Sequence, residues 1–368
     1  MSFYDVYKSL EDKDLDYIIE NTKEEEIKEI LAKDFLDEFD FLKLLSNEAK
    51  NHLEIMAKRA NFLTLKHFGR AVLLYTPIYI SNYCVNKCVY CSYNHENEIK
   101  RKKLNLEEIE KEAIEISKTG LRHILLLTGD SRKESPVSYI KDAVKILKKY
   151  FDAISIEVYA LKEDEYKELV DAGVSGLTIY QEVYNEDIYK KVHLKGPKSN
   201  YKNRLDAPER GCKAGMKFIG IGALLGLNDF RKEAFYTGIH CNYLQKKYPH
   251  VEYSVSAPRI RPHVGIFDLI DEVDDKDLVQ IILAYRIYLK SVGITMSTRE
   301  KEGFRDHLIP LGVTNISAGV KTSVKGHSSD EDKGEAQFEI ADKRSVKEMK
   351  EAIKNMNYQP LMKNWMNI

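Results

Sequence analysis

The chain of 368 residues has little of several features that mark specialised proteins. It has almost no net charge, because 57 lysines and arginines face 58 aspartates and glutamates. That balance argues against a dedicated nucleic-acid-binding protein, which carries a basic excess. With 19 glycines and 9 prolines, the chain is neither fibrous nor disordered. The longest near-continuous apolar run, residues 71–80, is far short of the ~20 residues that span a membrane, so we expect no membrane segment.

Cysteine is also scarce, with five residues, an odd number that does not suit a full set of disulfides. Three of the five fall within residues 84–91. The N-terminus shows no basic segment followed by an apolar one, so it has no visible secretory signal. Clustered cysteines in such a chain indicate a metal site rather than a disulfide framework, and we expect a cytoplasmic protein.

From residue 71 onward, β-rich runs alternate with amphipathic helical stretches. Such alternation is typical of a parallel sheet, and eight runs match a closed (β/α)8 TIM-type barrel with its active site at the C-terminal strand ends. An open doubly wound sheet is the alternative. The expected strands are 71–81, 123–130, 153–161, 176–184, 218–227, 252–262, 293–300 and 314–319. The expected helices are 104–118, 137–150, 164–172 and 276–291, the first opening with a capping box from Asn105 to Glu108.

The barrel is predicted to carry an extension at each end. Residues 1–70 are charged, with apolar residues at helical spacing, and predict an N-terminal extension of three or four short helices. The barrel itself is assigned to residues 71–319. Residues 320–368 are predicted to form a small C-terminal extension that closes the barrel, with a short strand at 338–340 and a helix near 345–356.

The cysteines follow the first expected strand with the spacing Cys84-x3-Cys88-x2-Cys91. Three thiolates on one loop can hold three irons of a 4Fe-4S cluster, leaving the fourth iron open to bind a substrate or cofactor. A structural zinc site formed by the same thiolates with His95 is the alternative. The zinc interpretation would make the chain a zinc-stabilised barrel that acts as a binding protein.

The stretch CVNKCVYC resembles the CxxxCxΦC signature of the radical S-adenosylmethionine superfamily, where Φ is aromatic. The rest of the chain, from about residue 10 to Trp365, resembles the aromatic amino-acid lyases of that superfamily, above all the tyrosine-cleaving branch that serves thiamine biosynthesis. The segments that carry this resemblance are 178–185, 193–216, 219–231, 256–262, 293–300 and 315–319.

The resemblance implies a 4Fe-4S cluster and S-adenosyl-L-methionine as cofactors. It implies cleavage of the Cα–Cβ bond of L-tyrosine to 2-iminoacetate (dehydroglycine) and p-cresol, with 5′-deoxyadenosine and methionine as the other products. It also implies thiazole synthase as the recipient of the product and a low-potential electron donor such as flavodoxin or ferredoxin. A radical lyase or rearrangement enzyme for another amino acid, such as tryptophan, is the alternative within the superfamily.

The resemblance assigns several residues to the cofactor and the substrate. Tyr90 stands at the family's aromatic position, which lies near the adenine of S-adenosylmethionine. Gly129 and Asp130 stand at the family's glycine motif, whose backbone meets the methionyl amino group of the same cofactor. Arg299 matches the residue that holds the substrate carboxylate, and Ser317 the hydroxyl that assists it. Packing, a strand-to-helix turn and surface salt bridges are the respective structural alternatives.

Other polar residues at expected strand ends are candidates from their residue types. Glu157, Gln181 and Glu182 interrupt apolar runs, where a buried polar group is costly unless it is paired or faces a polar cavity, so we assign them to the S-adenosylmethionine pocket. Arg204 and Arg259 are assigned to the same pocket because a guanidinium grips a carboxylate bidentately. A polar network inside the barrel and surface salt bridges are the alternatives.

One segment departs from the family pattern. Where close relatives have Gly-Gly-Tyr in the tail, this chain has Lys325-Gly326-His327. If that loop covers the active site, the choice of substrate could differ from tyrosine.

A relative of these lyases, the maturase of iron-only hydrogenase, carries a second iron–sulfur site on C-terminal cysteines. Here the last cysteine is Cys241, so we predict no second cluster. Anaerobically reconstituted protein should hold about four irons per chain, as one 4Fe-4S cluster requires. Clearly more than four irons, with a distinct second spectroscopic signal, would contradict this prediction.

Overall fold

The computed structural model describes residues 2–265, 267–328 and 331–363. Trp365, where the resemblance ends, and residues 329 and 330 of the tail lie outside the described residues. The described chain forms a barrel of eight parallel strands, and the ring closes because the first strand pairs with both the second and the eighth. The strands are β1 (Ala71–Ser81), β2 (His123–Thr128), β3 (Ala153–Glu157), β4 (Gly176–Thr178), β5 (Phe218–Gly222), β6 (Glu252–Ser256), β7 (Gly293–Met296) and β8 (Asn315–Ser317). The prediction of a closed barrel is confirmed, and the open sheet is wrong.

Helices cover the outside of the barrel and precede it. The described helices are α1 (Phe3–Glu11), α2 (Leu15–Asn21), α3 (Glu24–Ala32), α4 (Glu38–Leu44), α5 (Leu53–Phe68), α6 (Leu106–Ser117), α7 (Val137–Leu147), α8 (Glu163–Ala172), α9 (Glu186–Val192), α10 (Tyr201–Leu205), α11 (Ala207–Ala214), α12 (Phe230–Lys247), α13 (Asp275–Tyr288), α14 (Glu302–Leu308) and α15 (Val346–Asn355). The capping box of Asn105 and Glu108 at the start of α6 is confirmed. No helix of the described chain is both long and apolar enough to span a membrane.

The N-terminal segment contains five α-helices, more than the three or four expected, and α5 is a long one. Their apolar faces pack against the barrel's outer helices. Phe3 of α1 stacks on His240 of α12 with ring centroids 3.9 Å apart, and Phe41 of α4 stacks on Tyr288 of α13 at 4.4 Å. These helices therefore share the barrel's core.

Most barrel strands end earlier than the sequence patterns predict. The strand β4 ends at Thr178, although backbone hydrogen bonds to β5 continue from the N–H groups of Ile179 and Gln181. The chain then bends at Glu182, whose φ of 72° is rare for a residue with a side chain and which forms an isolated bridge with Ala223. Beyond the ends of the strands, the chain continues into loops at the C-terminal mouth. Those loops are where the candidate site residues lie.

The C-terminal extension differs from its prediction in two places. The expected strand at 338–340 is wrong, because Phe338 turns toward the barrel mouth and its carbonyl accepts a hydrogen bond from Thr322 Oγ1 (3.0 Å). The expected helix near 345–356 is present as α15. A strand that the pattern missed, β9 (Gln359–Leu361), pairs in parallel with residues 71–73 at the start of β1.

A buried ionic cluster fastens this extension to the barrel. Arg305 of α14 donates hydrogen bonds to the Asp342 carboxylate and to the carbonyl of Ser317 in β8, the latter at 2.5 Å. Arg305 and Asp342 are both almost fully buried. Arg344 also pairs with Asp342, at 2.7 Å, and with Asp306 at 2.9 Å. Two guanidinium groups therefore hold one carboxylate of the extension.

Replacing Asp342 with alanine should destabilise the protein strongly, because the buried Arg305 guanidinium would lose its carboxylate. Removing one partner of a buried pair typically costs about 3–5 kcal/mol. Chemical denaturation followed by circular dichroism measures the change in the free energy of unfolding. Asp171→Ala, which breaks the exposed pair of Asp171 with Lys167, is the control and should cost at most about 0.5 kcal/mol. Equal effects of the two substitutions would contradict the prediction.

Candidate active site

A deep cavity opens at the C-terminal mouth of the barrel, where loops after different strands contribute its polar lining. Its lower walls carry small polar side chains of the barrel interior, such as Ser155, Ser254 and Thr295. Most of the residues singled out in the sequence line this one cavity. They are Cys84, Cys88, Tyr90, Cys91, Gly129, Asp130, Glu157, Glu182, Arg204, Arg299 and Ser317.

Two predicted residues are not brought to the cavity. Gln181 precedes the bend at Glu182, and its buried side chain has no hydrogen-bond partner in the described chain. Arg259 pairs with the carboxylates of Glu300 and Asp275, outside the cavity. The structure therefore does not bring these two residues into the cavity lining with the others, and their assignment to the cofactor pocket stays a prediction. Arg261, two residues after Arg259, lines the cavity instead.

The three clustered cysteines are free thiols on the loop after β1. Burial raises the pKa of Cys84, that of Cys88 to about 12 and that of Cys91 to about 11, so a bound metal has to displace their protons. A zinc ion with bonds of about 2.3 Å would hold thiolates about 3.8 Å apart. Among the described residues, one set of three potential metal ligands has its atoms all within 4.8 Å of one another: Glu24, Glu48 and His52. The three cysteine sulfurs do not meet that distance criterion. The thiols are thus spread more widely than zinc requires, which suits a larger cluster.

The zinc alternative also requires His95 as a fourth ligand. His95 is exposed, and it does not line the cavity. Its backbone N–H donates to the carbonyl of Asn86 at 2.8 Å, which fixes it on the outer side of the cysteine loop. The three thiols therefore lack His95 as a partner in the cavity, and the histidine that does line it, His123, lies at the start of β2, at the other end of that strand from Gly129. The three thiols fit an iron–sulfur cluster with one open iron.

The cysteine loop rests on the end of β2. A Cβ atom on Gly129 would lie 2.3 Å from the carbonyl oxygen of Tyr83, so only glycine allows this contact. Asp130 accepts a hydrogen bond from Asn86 Nδ2 at 2.5 Å, and burial raises the pKa of its carboxyl. Gly129 is therefore required by the packing of the protein itself, and not only for approach of a cofactor.

Two carboxylates face the cavity from neighbouring strand ends. Burial, with the nearby charge of Glu182, raises the pKa of Glu157 to about 7. Glu182 is held by Lys198 at 2.7 Å and lies 3.7 Å from Arg204. Its left-handed backbone, a conformation that often marks functional sites, turns its side chain into the cavity.

On the opposite wall, the Arg299 guanidinium donates one hydrogen bond, from Nη1 to the carbonyl of Arg259 at 3.3 Å, and Ser317 offers a hydroxyl that the described chain leaves unmatched. Arg299 has no carboxylate oxygen within 4.0 Å among the described residues, and its guanidinium lies 3.6 Å from the ring centroid of Phe338. The buried hydroxyl of Ser317 has no hydrogen-bond partner there. A ligand carboxylate would satisfy both groups.

Sequence reasoning missed several lining residues. Lys198 pairs with Glu182, and its ammonium lies 5.6 Å from the ring centroid of Tyr90, whose hydroxyl contacts His193 Nε2 at 2.6 Å. The sequence pattern assigns Phe338 to the expected strand at 338–340 and not to the site. The signal for Lys198 lay in the segment 193–216, which carries part of the family resemblance.

The departing segment Gly326-His327 does not line the cavity. The backbone N–H of His327 donates to the Glu112 carboxylate of α6 at 3.0 Å, and its ring contacts the carbonyl of Pro77 at 3.2 Å. These two residues therefore pack on the outside of the barrel. The departure has no direct contact with a ligand in the cavity.

Comparison with known proteins agrees with this arrangement. The family model for the radical SAM superfamily matches residues 78–236, and that for the biotin and thiamin synthesis associated domain matches residues 256–359. A barrel that presents three loop thiols at its C-terminal mouth and matches the first model is of the radical SAM class.

The similar full-length sequences define the family within that class. The chain is 37% identical over 365 residues to the 2-iminoacetate synthase of Salmonella typhimurium (strain LT2), covering 99% of this chain and 97% of that protein. It is 36% identical, with the same coverage, to the 2-iminoacetate synthase of Escherichia coli (strain K12). The chain therefore belongs to the radical SAM superfamily and, within it, to the family of the 2-iminoacetate synthases.

A solved structure supports the fold over the whole length. The FeFe-hydrogenase maturase HydG from Carboxydothermus hydrogenoformans superimposes with a TM-score of 0.87 at 29% identity, over 99% of this chain and 83% of that one. Members of this superfamily use a 4Fe-4S cluster and S-adenosylmethionine, and the three thiols fit the cluster.

Replacing Cys88 with alanine should abolish iron binding, because two thiolates cannot hold the cluster in place of three. Iron and sulfide content after anaerobic reconstitution measures the loss. Cys212→Ala is the matched control, since Cys212 is a buried free thiol outside the cavity. The control should bind iron as wild type does, and full iron content in Cys88→Ala would move the cluster site elsewhere.

Proposed function

We propose that this protein cleaves the Cα–Cβ bond of L-tyrosine to give 2-iminoacetate and p-cresol, supplying the thiazole moiety of thiamine. The full-length similarity to 2-iminoacetate synthases supports the reaction. One observation about the site carries the proposal: the guanidinium of Arg299, which has no carboxylate partner among the described residues, and the unpartnered hydroxyl of Ser317 face the cavity that the three thiols line. An amino acid can be bound there beside the cofactor.

In this proposal Cys84, Cys88 and Cys91 hold the cluster. The bound cluster and S-adenosylmethionine supply a 5′-deoxyadenosyl radical that can remove a hydrogen atom from the substrate. The protein contributes orientation and exclusion of water. The residues assigned to the S-adenosylmethionine pocket are Tyr90, Gly129, Asp130, Glu157, Glu182 and Arg204, all of which line the cavity.

Arg299 is proposed to hold the carboxylate of tyrosine, with Ser317 donating a further hydrogen bond. A planar guanidinium binds a carboxylate through two parallel N–H donors and so fixes its orientation. Phe338 covers one face of the guanidinium, which leaves the N–H edge to face a ligand. Arg299 is only partly exposed, which limits the water that competes for that contact, and desolvation lowers its pKa.

The product and the electron requirement imply two partners. 2-Iminoacetate is an imine that hydrolyses in water, so we propose direct transfer to thiazole synthase. The radical chemistry needs one electron at low potential, which a flavodoxin or ferredoxin supplies. All five cysteines are free, which suits the reducing cytoplasm that we propose as the location.

Anaerobic incubation with reductant, S-adenosylmethionine and tyrosine tests the proposed reaction. We expect p-cresol and 5′-deoxyadenosine to form together. A parallel incubation with tryptophan separates the alternative, since turnover of tryptophan but not tyrosine would replace the proposed substrate.

Arg299→Lys should keep the cluster and uncoupled cleavage of S-adenosylmethionine while losing p-cresol formation. Truncating a buried bidentate charge contact typically costs about 2–5 kcal/mol, and a misplaced substrate reacts slowly. Arg259→Lys is the matched control, because it follows a neighbouring strand but pairs with Glu300. Product analysis by chromatography gives the ratio of p-cresol to 5′-deoxyadenosine. A wild-type ratio in Arg299→Lys would place the carboxylate site elsewhere.

A further inference from the structure

The outer side of the cysteine loop is covered by a lysine-rich segment. Residues 190–202 read KKVHLKGPKSNYK and contain five lysines and no acidic residue. This segment pairs with the cysteine loop through the backbone: Lys87 N–H donates to the carbonyl of Lys195, and Leu194 N–H donates to that of Lys87, both at 2.9 Å. Cys88 forms an antiparallel bridge with His193. The loop and the segment thus form a short two-stranded ribbon.

The two strands of the ribbon are closely packed. Gly196 has a φ of 95°, and a Cβ atom there would lie 2.2 Å from Asn86 Oδ1, so the segment touches the loop closely. Cys88 is buried, whereas Leu194 and Lys195, the residues that follow its bridge partner, are exposed. The segment that pairs with Cys88 through its backbone therefore carries exposed side chains directly after the bridge.

The exposed surface of the ribbon joins an apolar centre to positive charge. Val85 is 40% exposed and Leu194 is 50% exposed. Lys191 and Lys195 are exposed and have no carboxylate oxygen within 4.0 Å among the described residues. The charge of Glu96 also acts on Lys195, but Glu96 is itself paired with Lys87 at 2.6 Å. Positive charge therefore exceeds negative charge beside the exposed apolar side chains, which can steer a partner of the opposite sign.

We propose that this surface, made of Val85, Lys191, Leu194 and Lys195, is the docking site of an acidic one-electron carrier protein. The inference rests on the proposed function, which needs one electron per catalytic cycle. The reduced carrier loses one electron and the cluster gains one, and no atom is transferred between the two proteins. The ribbon suits this role because its exposed residues adjoin, in the chain, the residue that bridges the proposed cluster ligand Cys88.

The test uses the reconstituted full-length protein with a flavodoxin as the probe. A carbodiimide that joins carboxylates to amines is added to the mixture, and crosslinked lysines are identified by mass spectrometry. The dissociation constant for the flavodoxin is measured by surface plasmon resonance at low and high salt. We expect crosslinks at Lys191 and Lys195, and binding that weakens as salt screens the charges.

The variant Lys191→Glu/Lys195→Glu should weaken flavodoxin binding at low salt by about tenfold or more, as loss of electrostatic attraction predicts. The matched control, Lys217→Glu/Lys354→Glu, makes the same change in net charge at two exposed lysines near the other end of the barrel. Lys217 precedes β5 and Lys354 leads to β9, which pairs with the start of β1. The length of β1, on the order of 30 Å, separates that end from the cysteine loop.

Activity measured with two reductants separates this proposal from the proposed reaction. Turnover driven by reduced flavodoxin should fall in the Lys191/Lys195 variant, while turnover driven by dithionite and the iron content stay at wild-type values. Equal effects of the two double variants, or crosslinks confined to other lysines, would overturn the docking site. Absence of p-cresol from wild type with dithionite would instead overturn the proposed function. If the double variant binds no iron, Lys191→Gln and Lys195→Gln replace it and should show smaller losses of the same kind.

Discussion

The candidate site depends on the close packing of the cysteine loop against the end of β2. The carbonyl of Tyr83 occupies the space where a side chain on residue 129 would lie. Asn86 then joins the loop to Asp130 through its amide nitrogen and to the backbone N–H of Lys198 through its oxygen. One short loop therefore sets the relative positions of the thiols, of Asp130 and of the segment that delivers Lys198 to Glu182.

The opposite wall is assembled by a different part of the chain. Arg299 and Ser317 come from the last two barrel strands, but Phe338, which covers the Arg299 guanidinium, comes from the C-terminal extension. Asp342 secures that extension through Arg305, which also holds the carbonyl of Ser317. The proposed substrate side of the cavity is therefore stabilised by buried ion pairs. The side that carries the three thiols is stabilised by close backbone packing.

The sequence predicted the barrel because its signals are local: apolar runs that alternate with amphipathic helices need no knowledge of distant contacts. Most of the residues it singled out line the cavity for a related reason, since polar residues at the ends of parallel strands meet at one edge. It does not resolve cases where the orientation of a single residue decides the outcome. Arg259 and Arg261 are the same residue type two positions apart, so the sequence does not distinguish them. Only the structure shows that Arg259 pairs with Glu300 while Arg261 lines the cavity. The strand predicted at 338–340 failed because tertiary contacts turn Phe338 toward Arg299, a constraint that no local pattern contains.

The pairing of β1 with three other strands has a consequence for synthesis on the ribosome. The first barrel strand emerges early and can pair with β2 soon afterwards, but its other edge waits for β8, and its first residues wait for β9 near the C-terminus. An open strand edge invites pairing with other chains. The N-terminal helices leave the ribosome before β1, yet α1 and α4 pack on α12 and α13, so they too wait for later residues. The nascent chain therefore exposes both an edge and apolar helix faces until nearly all of it has been made, and such surfaces are prone to contact other chains.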